Sequence, residues 1–587
     1  MLKDTSPPHQ QGASDAITSQ ARPKIKNKKD YQVDLHPQNL SFQMMKRNDA
    51  SILKYLPDQS FLKPDISQAL IKAIKSGNSL RELHLGGLKY MYWPQIDERR
   101  LIHLSQSLKN SSCLQTVSLS FFDCGAMTDA DLSQISQGFQ RISSLKTLIL
   151  ELSNCPQITD KGFYEMGQSL CRLSSLEKLT LKFGLPCMIT PKGLESLVKS
   201  LKRLRSLSDL TLALTDWPGL RRGFASLTQA IGSLVSLESL KLEFSPDIEF
   251  SSLGKPFKSL KKLKTFGFRL RSYTPILAQE LKDFSKDLKE LSELENISLD
   301  LSGHREMTDL SLGYITQGLS KCEKIQDLKL NFSRGNGITD KGLNSVSEVI
   351  KNLTNLKKVG LGFGGCGLIT DKGLISINES LKTLTLLKDI SLDFSCSPQV
   401  TDFGLQSMSE ALQKMDHLSA IELVFTKCPG ITDKGLEYIG QGLKNCALLK
   451  MIHFAFAESN KLTNWSLDFI CRGLEKTSLL ENLSLSFVQC PQMSDPGVSK
   501  VISSLNNLPE LRNLSLSFGN SAQITDRGLA GISQVLRRQK GLKGVSIYFW
   551  NCSGITVPDL KEIHKELKRI SSLSKTKIII ERMEAFL

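Results

Sequence analysis

A leucine-led octapeptide returns at a fixed step over most of this chain, and that period constrains its fold more than any other feature. From Leu356 the sequence reads LKKVGLGF, and the pattern recurs at Leu387 (LKDISLDF), Leu418, Leu449, Leu480, Leu511 and Leu542, with a constant step of 31 in residue number. Toward the N-terminus it runs through Ile325, Leu294 and Leu263, with shorter steps back to Leu237 and Leu207, and then regains the full period through Leu176, Leu145 and Leu114. Poorer copies at Leu80 and Leu573 bring the total to about 17 units. A period of this length marks a solenoid, in which each unit closes its core only against its neighbours. The 587 residues, which by length alone suggest about four domains, are thereby one array.

Within a unit the apolar positions are the anchor, +3, +5 and +7, as in Leu480, Leu483, Leu485 and Phe487. The last three alternate with other residues, the pattern of a short strand with one buried face. Position +7 is Phe in eleven units, which predicts a column of rings about 4.8 Å apart, one strand spacing. Fourteen residues past the anchor most units carry Thr or Ser, and nine follow it with Asp, as in Thr339-Asp340-Lys341-Gly342-Leu343. The hydroxyl suits an N-cap and the carboxylate complements the positive end of a helix, so a helix starts here. Apolar residues at helical spacing behind it, Leu343, Val346, Val349 and Ile350, supply the inward face. The copy number assigns the Thr-Asp-Lys run to capping, since a catalytic site is needed once and a cap in every unit.

A strand LxxLxLxF, a turn and a helix opening ITDKGL resemble leucine-rich repeats. The run Cys428-Pro429-Gly430-Ile431-Thr432-Asp433 is similar to the cysteine-containing repeats of F-box receptors, while the length and full helix are similar to ribonuclease-inhibitor-like repeats. The resemblance implies an α/β leucine-rich-repeat solenoid, a horseshoe with parallel strands on the concave face and helices on the convex face. The asparagine usual after the strand is here mostly Phe, so the family's asparagine ladder does not carry over. Cysteines at +10, such as Cys366, Cys428 and Cys490, fit as small buried hydrophobes in the turn.

The composition fits a soluble chain: 40% hydrophobic, 23% charged, with no apolar run long enough to span a membrane and no signal peptide at the start. Thirteen cysteines without paired spacing fit a reducing compartment, so the expected location is cytoplasmic, with the nucleus as an alternative. Residues 1–48 read as a disordered basic and polar tail, 49–79 as a helical N-terminal cap, and 80–587 as the solenoid, irregular near 199–290. The C-terminal run LSKTKIIIERMEAFL reads as a last strand. Leu56-Pro57 resembles the opening of an F-box, which implies an alternative function as a substrate-recognition subunit of a ubiquitin ligase, docked on its adaptor.

No HExxH, P-loop or GxSxG occurs, and the eight histidines do not cluster with Cys or acid, so neither an enzyme nor a cofactor or metal is expected. Gly360-Leu361-Gly362-Phe363-Gly364-Gly365 satisfies GxGxxG, but it occupies an ordinary unit and leaves room for a partner rather than a dinucleotide. Positions +2, +4 and +6 face away from the core, forming a concave surface about 77 Å long. The candidate protein-binding residues there are Asp300, Asp389, Asp393, Ser484, Ser486, Ser515 and Ser517, with larger groups at Glu422, Met451, His453 and Tyr548. The reading is a protein-protein interaction scaffold with a protein partner and no membrane. The net charge of +16 is densest in the irregular stretch: Lys202, Arg203, Arg205, Arg221, Arg222, Lys258, Lys261, Lys262, Lys264, Arg269 and Arg271 form a candidate patch for a polyanion or acidic partner. No nucleic-acid-binding module accompanies it.

Overall fold

The computed structural model describes residues 32–35, 52–55 and 80–555, except for 87–97, 110, 112, 123–126, 185–188, 216, 218–219, 246–247, 249, 272–274, 540 and 553. The alternating octapeptide forms the strand in every described unit. Asn296–Asp300 pairs in parallel with Asp327–Asn331, that with Lys358–Gly362, and so on to Gly544–Tyr548, each residue opposite its equivalent in the next unit. Eighteen strands of the described residues join one parallel sheet in chain order. This is the α/β leucine-rich-repeat solenoid, strands on one face and helices on the other.

Helices start where the Thr-Asp motif places them. Thr339 precedes the helix Asp340–Asn352 with extended backbone, and its hydroxyl accepts from the Lys341 N–H; Thr370, Thr401 and Thr432 do the same for their helices. The aspartate has a second function that the capping argument missed. Asp340 reaches into the following unit, where its carboxylate accepts from the Thr370 N–H (2.8 Å), the Thr370 hydroxyl (2.7 Å) and the Gly373 N–H (3.0 Å). Asp309, Asp371 and Asp402 hold the next threonine in the same way. The glycine belongs to the same device, since a Cβ at Gly373 would lie 2.6 Å from the Asp340 Oδ1.

The turn after each strand contains another repeated feature. Position +9 is left-handed in Arg334, Cys396, Lys427, Glu458, Gln489, Asn520 and Asn551, with φ between 56° and 70°, and in Gly303 and Gly365. The Arg334 N–H donates to the Gly364 carbonyl and the Cys396 N–H to the Thr426 carbonyl, both at 2.7 Å, so pairing between units continues around the bend. The buried thiols at +10 also point back one unit: Cys366, Cys428 and Cys490 donate to the carbonyls of Phe332, Phe394 and Phe456 at 3.3 to 3.5 Å.

The rings form the expected column from Phe332 to Phe549, but the centroids stand 5.6 to 6.1 Å apart, wider than the expected strand spacing of about 4.8 Å. Strands repeat at about 4.8 Å and packed helices at about 8 to 10 Å, so the stack must bend. Rings between the two layers take an intermediate spacing.

Irregularity in the expected stretch has a concrete form. Leu220–Gly232 starts without a Thr-Asp cap, and the following short unit replaces its α-helix with two 3-10 turns, Phe250–Ser252 and Lys255–Lys258. Phe250, Phe257, Phe266 and Phe284 fill the vacated space, with Phe257 and Phe266 at 4.9 Å and Phe250 and Phe284 at 5.4 Å.

The N-terminal reading is corrected at two places. Gln32–Leu35, inside the supposed disordered tail, and Ile52–Tyr55, inside the supposed helical cap, are strands. Leu53 pairs with Leu83, so the repeat register reaches one unit farther back than the anchors reveal. Four residues are too short a run to distinguish strand from helix by pattern. The rest of residues 1–79, including Leu56-Pro57, and the proposed last strand after 573 lie outside the described residues.

Candidate functional site

Alternation along each strand divides its side chains between core and surface. In Asn482–Ser486 and Asp389–Asp393 the second and fourth residues are buried and the others partly exposed. Leu485, for example, is buried while Ser484 and Ser486 are not. Pairing in register aligns these outward positions across units, so Glu422, His453, Ser484 and Ser515 lie on neighbouring strands in one row.

The candidate residues fall into three environments. Asp300 accepts from the Arg269 guanidinium at 2.8 Å and from the Ser302 N–H at 3.2 Å, and Asp393 accepts from the Ser395 N–H at 2.9 Å. Both therefore shape the turn after their strand as well as lining the surface. Asp389 binds the Lys358 ammonium at 2.6 Å, a bond that raises the lysine pKa above its ordinary value. Glu422 accepts from the Ser391 hydroxyl at 2.8 Å and lies 4.0 Å from His453. Met451 is exposed on the neighbouring strand. The hydroxyls of Ser484, Ser486, Ser515 and Ser517 make no side-chain hydrogen bond among the described residues and, with the half-exposed Tyr548, form an uncharged surface that can donate and accept.

Among the described residues, two open depressions indent this face. The larger, about 840 Å³, spans the strands from Thr147–Ser153 to Asp327–Asn331. It presents paired charges, Lys182 with Glu151 at 2.6 Å, Lys178 with Asp209 at 2.9 Å and Arg269 between Glu243 and Asp300, beside Lys241. The smaller, about 490 Å³, runs from Arg269 to Met451, and includes Gly360, Gly362, Asp389, Asp393, Glu422 and Val424. Attention to large groups in the C-terminal third passed over the larger depression. The signal was available, because Glu151, Lys182, Lys241 and Glu243 occupy the same outward repeat positions.

The basic residues of 199–271 do not form one patch. Lys202, Arg203, Arg205, Lys258, Lys261, Lys262 and Lys264 lie on the rim where helices end and strands begin. Arg221 and Arg222 start a helix at the opposite end, while Arg269 lies on the concave strand Thr265–Leu270 and Arg271 just past its end, where both meet Glu243. Helix and strand run in opposite directions, so residues close in sequence reach opposite edges. Some are also neutralised: Lys261 binds Glu290 at 2.9 Å and holds its carboxyl below the usual range, and Glu238 at 3.0 Å raises the Lys264 pKa.

No helix among the described residues is long and apolar enough to cross a membrane. The class defined by this fold and surface is a leucine-rich-repeat solenoid with an extended concave face. No family model and no curated protein matches the chain. Among solved structures, a chain from the crystal structure of the Rad7 and Elc1 complex in yeast is similar over 83% of both chains, with 16% identity and a TM-score of 0.38.

Proposed function

We propose that this chain is a non-enzymatic scaffold that binds a protein partner through its concave strand face, built from repeats intermediate between the ribonuclease-inhibitor-like and cysteine-containing types. The observation that carries the reading is the continuous row of partly exposed polar and charged side chains, held in register by strand pairing over a sealed core. Backbone donors and acceptors within the sheet are used by pairing, so recognition falls to side chains. A surface extending over many strands suits a protein better than a metabolite, whose sites are enclosed pockets. The mixed-charge depression supplies orientation, and Met451 with Tyr548 supplies apolar contact.

Affinity copurification from a native extract tests this reading. The double variant Glu422→Lys/Met451→Asp is expected to recover its partner about tenfold less well, a loss of about 1.4 kcal/mol. The convex double variant Glu348→Lys/Lys351→Glu is expected to behave as the wild type. Equal recovery by all three would count against the concave face.

A further inference from the structure

The rim where helices end and strands begin carries two populations of cations. One is matched: Lys146 meets Glu177 at 2.8 Å, Lys264 meets Glu238 at 3.0 Å and Arg512 meets Glu481 at 3.0 Å. The other has no carboxylate partner among the described residues and includes, beside single lysines such as Lys321, Lys414 and Lys476, a column of arginines. Arg141, Arg172 and Arg203 each follow the residue that caps a helix C-terminus, at the same repeat position in three consecutive units. All three are exposed, and none has a carboxylate within ion-pair distance among the described residues. Lys202 and Arg205, also exposed and unmatched, flank the last of them. Residues 199–205 contain four cations and no carboxylate.

Complementing the negative end of a helix accounts for a single cation at this position but not for guanidinium groups in three successive units. The equivalent repeat position holds Glu290, Asn352, Thr383 and Asn445 in some other units and Lys321, Lys414, Lys476 and Arg538 in others, so a helix can end there without a cation, and only in the column do arginines occupy the position in three successive units. Uncompensated guanidinium groups present weakly hydrated forks shaped for carboxylate oxygens. We infer that Arg141, Arg172 and Arg203, with Lys202 and Arg205, dock an acidic segment of a partner polypeptide across three units. Successive units at this rim are separated by a distance between the strand spacing of about 5 Å and the helix spacing of about 10 Å. An extended peptide advances about 3.3 Å per residue, so carboxylates two or three residues apart meet successive arginines. The turns 140–146, 171–177 and 202–208 contain no aromatic residue on which a base would stack, which favours polypeptide over single-stranded nucleic acid. This edge is distinct from the concave face, and the inference does not depend on what binds there.

Fluorescence anisotropy with the full chain and a labelled glutamate dodecapeptide tests it, alongside single-stranded and duplex oligonucleotides of equal charge. The variant Arg141→Glu/Arg172→Glu/Arg203→Glu is expected to weaken peptide binding about tenfold or more. A control with the same charge change at the opposite helix ends, Lys192→Glu/Arg221→Glu/Arg222→Glu, is expected to stay within about twofold. Melting curves check folding, and the arginine-to-glutamine triple variant replaces the glutamate one if needed. Equal loss in both variants, no measurable peptide binding, or tighter arginine-dependent binding of either oligonucleotide would overturn the inference.

Discussion

Asp340 accepts three hydrogen bonds from the unit that follows it, so its carboxylate joins units as well as completing a helix start. Asp340→Ala leaves the Thr370 and Gly373 donors unsatisfied, and is expected to cost about 2 to 4 kcal/mol in chemical denaturation. Asp340→Asn should cost less, because Asn464 stands naturally at the equivalent position and its Oδ1 still accepts from the Ser494 N–H at 2.9 Å. Equal losses from both variants would contradict a hydrogen-bonding role. The thiols make a second residue-scale prediction. Burial pushes Cys428 up to about 12, and Cys366 and Cys490 up to about 11. A folded-state pKa raised above the unfolded value means that the stability held below the ordinary thiol range is lost as pH rises toward the folded value. Melting temperature is therefore expected to fall between about pH 9 and 11, less steeply in Cys428→Ala, whereas a flat profile would contradict the burial of these thiols.

Strand, turn and helix starts differ in how plainly the sequence exposes them. The octapeptide identifies the strands and their buried face because alternation is a direct consequence of the pleat, and Leu485→Asp against Ser486→Asp tests that register. The first buries an unpaired charge and should destabilise by about 3 kcal/mol or more, while the second should fold as the wild type. The left-handed turn was not legible, because Arg334, Lys427, Glu458 and Gln489 carry no preference for positive φ. Inter-unit hydrogen bonds impose the conformation. Gln489→Gly removes the Cβ penalty and is expected to raise stability by about 0.5 to 1 kcal/mol, as read from the denaturation midpoint. The aspartate ladder was half legible: local pattern indicates a cap, but the partner in the next unit becomes apparent only when the units are stacked.

Across the whole molecule, the constant repeat step predicts a single array, and the sheet joins every described strand accordingly. What the step conceals is direction. Arg203, Arg221 and Arg269 are neighbours along a basic stretch, yet occupy the helix-end rim, a helix start and the concave face. The concave positions themselves were legible, since the alternation along each strand assigns them without knowledge of curvature. The larger depression was missed because its Glu151, Lys182, Lys241 and Glu243 come together only when the outward positions of successive units are set side by side. Photo-crosslinking from a native extract decides whether the concave face receives the partner. A photoreactive residue at Met451 is expected to capture the same polypeptide as one at Ser484, whereas one at Glu348 on the helical side should not. Capture of that polypeptide from Glu348 but from neither concave position would place the partner on the helical side and contradict a concave docking site.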